Sequence, residues 1–350
     1  MRFCRINTIF SNYSFTMCHW HDTLYIKGGI LVEFSFEQIK KAQKRINPYI
    51  VKTPMLRLYN LDRFLGCHIF AKAECFQNTG AFKLRGALNR MLQLTEDELK
   101  SGIVTASSGN HGRAIAYSAK MLGAKATVVM PHTAPTLKKE AIKALGADVV
   151  LCDVTERFKI AEEICENTNA VLIHPYNDAG VMAGQGTVGL EIMEQCPEAD
   201  IVLVPVSGGG LLSGTAAAIK NLSPKTKVYG IESSILPRYS ASIAAGKPVE
   251  VESRKSVADA LASNKPGDKC YPYVEKYTDG IITVDEEYIL KGMKLMMTEG
   301  KLFVEPTSCI GVGALLQGVV PVTPNDNVVL LVSGGNVGFD QLEMLNGVAL

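Results

Sequence analysis

One lysine, Lys83, sits where its type and setting could do chemistry, inside E-C-F-Q-N-T-G-A-F-K-L-R-G-A over residues 74–87. Thr79-Gly80 breaks the chain before it, Phe82 precedes it, and Leu84, Ala87, Leu88 and Met91 recur at helical spacing. The spacing predicts Lys83 in the first turn of a helix. A lysine there is ordinarily a solvated cation. It becomes a catalytic amine when burial, a neighbouring cation or condensation with a carbonyl takes its proton. Three polar loops elsewhere bear on the choice. Ser107-Ser108-Gly109-Asn110-His111-Gly112 opens an alanine-rich helix after a predicted strand, where unpaired backbone N–H groups attract anions such as a carboxylate. Ser207-Gly208-Gly209-Gly210-Leu211 has the same placement, with three glycines that let the backbone wrap a phosphate. A dinucleotide fingerprint needs other glycine spacing, although Glu232 stands roughly where its acid would. Ser333-Gly334-Gly335-Asn336 ends the last strand, and turn and site weigh evenly there.

The elements that must carry these loops alternate. Strands are predicted over 69–73, 102–106, 126–130, 149–152 and 171–173, then over 201–205, 228–232, 281–284 and 328–332. Helices are predicted over 36–45, 87–94, 114–122, 135–145 and 156–165. Alternation at this spacing means crossover units on parallel sheets, an α/β fold whose strands are apolar throughout because both faces are covered. Ligands then collect at the carboxyl ends of the strands, where all three loops lie.

With 350 residues, 47% of them hydrophobic and 20% charged, the chain has enough apolar material for two lobes. A net charge of +1 gives no nucleic-acid footprint, so the partner is a small molecule. Nine scattered cysteines without a C-x-x-C pair indicate reduced thiols and a cytoplasmic setting. No apolar run reaches the roughly twenty residues of a membrane span. Residues 1–34 lack both a signal-peptide core and a clear period, and are read as a leader outside the fold. Lys27-Gly28-Gly29 reads like an in-frame bacterial ribosome-binding sequence, which would put the natural start near Val32. Cys18, His19 and His21 on that arm are taken as an accidental grouping.

In order and spacing, the lysine stretch, S-S-G-N-H-G, P-V-S-G-G-G-L-L-S-G and V-S-G-G-N resemble the serine/threonine dehydratases and serine racemases. That group has the second pyridoxal-phosphate fold type, the two-domain architecture of the tryptophan synthase β-like enzymes. The resemblance implies a large cofactor-binding domain over 35–101 and 179–345, a small mobile domain over 102–178, and a homodimer. It implies pyridoxal 5'-phosphate on Lys83, flanked by Phe82. Asn110 would bond the ring hydroxyl, Ser207, Gly208, Gly209, Gly210 and Leu211 the phosphate, and Ser333 would face the ring nitrogen. Ser107, Ser108, Asn110 and His111 would frame the substrate carboxylate, with Lys83 and Ser108 as the catalytic pair. The implied reaction converts L-threonine or L-serine to a 2-oxo acid and ammonia; the alternatives are serine racemase and a lyase for 3-hydroxyaspartate. Glu305 lies near the cofactor side in relatives, with a helix-start acid as the equal alternative. Metal-binding relatives have an aspartate six residues after the glutamate matching Glu232, and here that position is Arg238. No metal is expected, and an Arg238–Glu232 pair would take its place.

Overall fold

The structure, a computed structural model, describes residues 24–26, 29–31, 34–107 and 109–350. It divides into Met1–Phe34 and Ser35–Leu350. In the first unit β1 (Leu24–Ile26) and β2 (Gly29–Leu31) pair antiparallel. Cys18, His19, His21 and the proposed start at Val32 lie outside the described residues, as does Ser108.

The second unit contains two sheets. Its strands are β3 (Met55–Arg57), β4 (His68–Ala73), β5 (Ile103–Ala106), β6 (Ala126–Pro131), β7 (Asp148–Cys152), β8 (Val171–Leu172), β9 (Ile201–Pro205), β10 (Lys227–Ser233), β11 (Gly280–Val284) and β12 (Asn327–Val332). The larger sheet runs β11-β10-β9-β12-β4-β3 and the smaller β7-β6-β5-β8. All neighbours are parallel except β3 and β4, where Met55 faces Lys72. That antiparallel edge is absent from the sequence expectation, because three residues are too few to display a period of two. Every residue of β9 is buried, as a strand covered on both faces requires.

Helices position the reactive ends. The buried helix Ala179–Gln195 lies between Lys83–Met91 and Gly210–Leu222. Glycines allow the close approach: a Cβ on Gly184 would come within 2.4 Å of the Arg85 carbonyl oxygen, and one on Gly214 within 2.4 Å of that of Met182. A side chain at either place would force the helices apart.

A buried charge network fixes the lysine helix from its other side. Arg85 donates to Glu74 at 2.8 Å and to Glu191 at 2.7 Å, while Lys72 donates to Glu191 at 2.6 Å and to the Thr53 carbonyl at 2.7 Å. Two cations meet two carboxylates with nearly every donor satisfied, the condition under which buried charge is tolerated. Arg85 stands two residues from Lys83, so the network holds the backbone that aims the amine.

Candidate active site

Lys83 is the first residue of the helix Lys83–Met91. It is set there by backbone pairing with the end of β12: Phe82 N–H donates to the Ser333 carbonyl at 3.0 Å, Ala81 bridges Gly334, and Gly335 N–H donates to the Gly80 carbonyl at 2.9 Å. Residues 251 to 255 positions apart in sequence thus share one corner. The Lys83 Nζ donates to the Pro175 carbonyl at 2.7 Å and lies 5.2 Å from the centre of the Phe82 ring. Burial disfavours the ammonium and brings its pKa down to about 8.

Ser333, at the exit of β12, is buried and its Oγ is 3.2 Å from Ser308 Oγ. Ser308 is fixed in turn, donating to the Gly334 carbonyl at 2.6 Å and accepting from Gly334 N–H at 2.8 Å. Glu305 joins the same cluster. Asn110 Nδ2 donates to its two oxygens at 3.0 and 3.2 Å, and burial, reinforced by the charge of Asp259, raises its pKa to about 7. The acid therefore belongs to the site as well as preceding the Pro306–Cys309 turn.

Asn110 opens the helix Asn110–Leu122 and also accepts from Asn336 Nδ2 at 2.7 Å; Asn336 accepts from Arg113 at 2.5 Å. These side chains line one wall of a cavity of about 290 Å³, to which Gly109 and Lys138 also contribute. In the same loop Ser107 Oγ accepts from Gly109 N–H at 3.4 Å. His111 is buried, with Nε2 at 3.3 Å from the Ile173 carbonyl, and burial lowers its pKa well below the ordinary histidine value. With the Nε2 proton given to that carbonyl, Nδ1 is an acceptor. His111 thus offers no donor to a carboxylate, and that part of the expected substrate frame falls to backbone and asparagine N–H groups.

The glycine loop leads from β9 into the helix Gly210–Leu222. Gly209 has φ +103°, open to glycine, and a Cβ there would fall 1.8 Å from the Tyr239 hydroxyl. The ring of Tyr176 covers Gly208, where a Cβ would come within 2.3 Å of it. The Gly208 carbonyl accepts from Tyr239 Oη at 3.1 Å and Gly267 N–H at 2.9 Å, and Ser207 Oγ accepts from Ser263 N–H at 3.2 Å. The N–H groups of Ser207, Gly208, Gly209 and Gly210 have no acceptor in the described protein. Four free donors at the start of a thirteen-residue helix make an anion cradle.

The expected Arg238–Glu232 pair does not form. Glu232 accepts instead from the N–H groups of Tyr239 at 3.0 Å and Ser240 at 2.8 Å and from the Ser240 hydroxyl at 2.8 Å. Those bonds fill its carboxylate, which answers the dinucleotide reading as well. Arg238 turns towards the Val206 carbonyl, 2.9 Å away. The helix Arg238–Ala245 places its first N–H groups at Glu232 and thereby carries the guanidinium past it.

Sequence reasoning did not find Pro175, Tyr176, Arg113 or Ser308 as members of the site. The H-P-Y-N run at 174–177 was the available signal, because a proline and a tyrosine directly after a strand mark a shaped loop. His174 shapes this loop: its Nδ1 accepts from Tyr176 N–H at 3.3 Å and Asn177 N–H at 2.9 Å, and its ring stacks on Phe158.

Residues 46–334 match a family described as pyridoxal-phosphate dependent enzyme. The chain is 38% identical over 313 residues to an L-threonine ammonia-lyase of Thermotoga maritima, covering 89% of this chain and 78% of that protein. It is 40% identical over 305 residues to a serine racemase of Oryza sativa subsp. indica, covering 85% and 90%. A solved maize serine racemase superposes with a TM-score of 0.85 at 38% identity, covering 89% and 96%. The residues present fit that cofactor. Four unpaired N–H groups suit a phosphate, a lysine of lowered pKa suits an aldehyde, and a buried serine with a half-buried asparagine suits a heteroaromatic ring with one hydroxyl.

Proposed function

We propose, for a chain that belongs to the pyridoxal-phosphate dependent enzyme family, that it eliminates water from L-threonine and L-serine to give a 2-oxo acid and ammonia. Ser207, Gly208, Gly209, Gly210 and Leu211 would hold the cofactor phosphate, Asn110 its ring hydroxyl, and Ser333 its ring nitrogen, with Phe82 beside it and Lys83 at its aldehyde. When bound, the cofactor supplies an electron sink for the substrate α-carbon. The chain's own part is proton handling. Lys83, as a free amine beside the substrate α-carbon, would remove the α-proton with its Nζ. The β C–O bond would break with the leaving hydroxide taking the proton held on Lys83 Nζ to become water, and the released enamine would tautomerise and be hydrolysed to the 2-oxo acid and ammonia. Backbone N–H groups at Gly109 and Asn110, with Ser107 and Ser108, would orient the substrate carboxylate.

The observation that carries the reading is the Ser333–Ser308 pair at the exit of β12. A hydroxyl shares a hydrogen bond with the ring nitrogen without giving up its proton, unlike a carboxylic acid. The electron sink is then weaker, and a substrate with a leaving group on its β-carbon expels it before the charge can persist. The relative named L-threonine ammonia-lyase supports the same reading. The relatives named serine racemase support a second one, in which Ser108 exchanges the proton on the opposite face. Arg113 and Lys138 in the adjoining cavity are a reason to include 3-hydroxyaspartate among the substrates compared. Residues 102–178 would form a small lobe closing on the remainder, 35–101 and 179–345, in a cytoplasmic homodimer.

A lactate dehydrogenase-coupled assay for 2-oxo acid with threonine, serine and 3-hydroxyaspartate tests the proposal, with chiral analysis of the unreacted serine. Rapid 2-oxo acid formation from threonine with little D-serine is expected. D-Serine outpacing pyruvate would replace the reading with the racemase, and substantial turnover by Lys83→Ala would remove the assigned base.

A further inference from the structure

Arg238 is fully buried, and among the described residues only one of its three side-chain nitrogens has a partner: Nη1 donates to the Val206 carbonyl at 2.9 Å, while Nε and Nη2 have no acceptor there. A guanidinium does not shed its proton in a protein, so the charge remains. Its neighbour Glu232 has its oxygens turned to the backbone of Tyr239 and Ser240. A buried cation so poorly answered is costly unless another group completes its field.

The bond it makes indicates that group. Val206 is the residue before the glycine loop, and its carbonyl shares a peptide unit with the Ser207 N–H. In a planar trans peptide the N–H points opposite to the C=O. A cation on the carbonyl therefore drives positive charge onto an N–H aimed away from it, and Ser207 N–H has no acceptor among the described residues. The next carbonyl but one, that of Gly208, is held in the same manner by Tyr239 Oη and Gly267 N–H, which orients the Gly209 N–H. Adjacent residues of one helix, Arg238 and Tyr239, thus hold alternate carbonyls of the loop.

We propose that Arg238 is a positioning residue for the cofactor phosphate: through the Val206–Ser207 peptide it supplies the positive field that the glycine loop presents to a dianion. The inference rests on the family's cofactor and not on which reaction the enzyme performs, so its failure leaves the elimination assay untouched.

The test compares binding of pyridoxal 5'-phosphate with that of pyridoxal, which lacks the phosphate. Full-length apoprotein of the wild type, Arg238→Gln, Arg238→Leu and Arg238→Lys is titrated with each, following absorbance of the bound chromophore. The neutral variants are expected to bind the phosphorylated form at least about tenfold more weakly, a change of about 1.4 kcal/mol. Their pyridoxal affinity should stay within about twofold, and lysine should restore most of the loss. Glutamine can still donate to the Val206 carbonyl, so its loss reports charge. Equal weakening of both ligands, or of neither, would overturn the proposal. Failure of both neutral variants to fold would assign Arg238 to the fold alone and overturn it equally.

Discussion

Two groups in the proposed site have pKa values moved towards neutrality by burial, and each has a measurable consequence. Lys83 reacts with an aldehyde only as the free amine, and its pKa is brought down to about 8. Attachment of pyridoxal phosphate to apoprotein should accelerate about tenfold per pH unit below that value and level off above it, as stopped-flow absorbance would record. A plateau reached only near pH 10 would mean that the amine is solvated. Glu305 moves the other way, from 4.5 to about 7. A carboxyl whose folded pKa exceeds its unfolded one adds stability that is complete below about pH 4.5 and lost as pH rises through about 7. Glu305→Gln should remove that slope, leaving the urea midpoint of the apoprotein flatter between pH 4.5 and 8 than in the wild type. His111, by contrast, is held neutral in the fold by burial, so it brings no charge to the site, and protonation of the unfolded chain lowers stability as pH falls below 6.5.

At the scale of elements, the lysine helix is held between a backbone pairing and an ion network. The pairing of 80–82 with 333–335 sets where Lys83 begins. The network of Arg85, Glu74, Glu191 and Lys72 sets the angle at which its helix lies on Ala179–Gln195. Removing one member of a buried pair leaves the others uncompensated, at a typical cost of about 3–5 kcal/mol. Glu191→Ala should therefore lower unfolding free energy by that amount and shift the absorbance of bound cofactor, because Arg85 lies two residues from Lys83. Denaturant melts and an absorbance spectrum would measure the two effects together. A destabilised variant with an unchanged spectrum would uncouple the network from the lysine.

For the whole molecule, the two sheets converge on one site. The helix Asn110–Leu122 follows β5 of the smaller sheet, while Lys83, Ser333 and the glycine loop belong to the larger. Asn110 bonded to Glu305 and Asn336, and Lys83 bonded to the Pro175 carbonyl, join the halves of the site. Among the described residues no group of three histidine, cysteine, aspartate or glutamate side chains is placed to hold a metal, and Glu232 is filled by backbone N–H groups. Activity should accordingly be unchanged after dialysis against a chelator, measured by 2-oxo acid formation. A loss that magnesium reverses would contradict this account of Glu232. The described residues contain no helix long and apolar enough to cross a membrane.

The sequence by itself determined the parallel strands, the lysine at a helix start and the glycine loop at a strand exit, because each is written in local periodicity or in residues with special backbone freedom. The antiparallel β3 was not legible, being three residues long, and neither was the 17-residue helix Ala179–Gln195, which is buried on every side through Val181–Met193 and mixes small, apolar and polar residues without a stripe. What only the tertiary structure decided are matters of which group meets which. Glu305 meets Asn110 across 195 positions, and Lys83 meets a carbonyl 92 positions away. Arg238 passes over the nearby Glu232 for Val206 because backbone N–H groups reach that carboxylate first. Propensity and spacing act over a turn or two of chain, whereas hydrogen-bond partners are chosen among atoms that only folding brings within 3 Å.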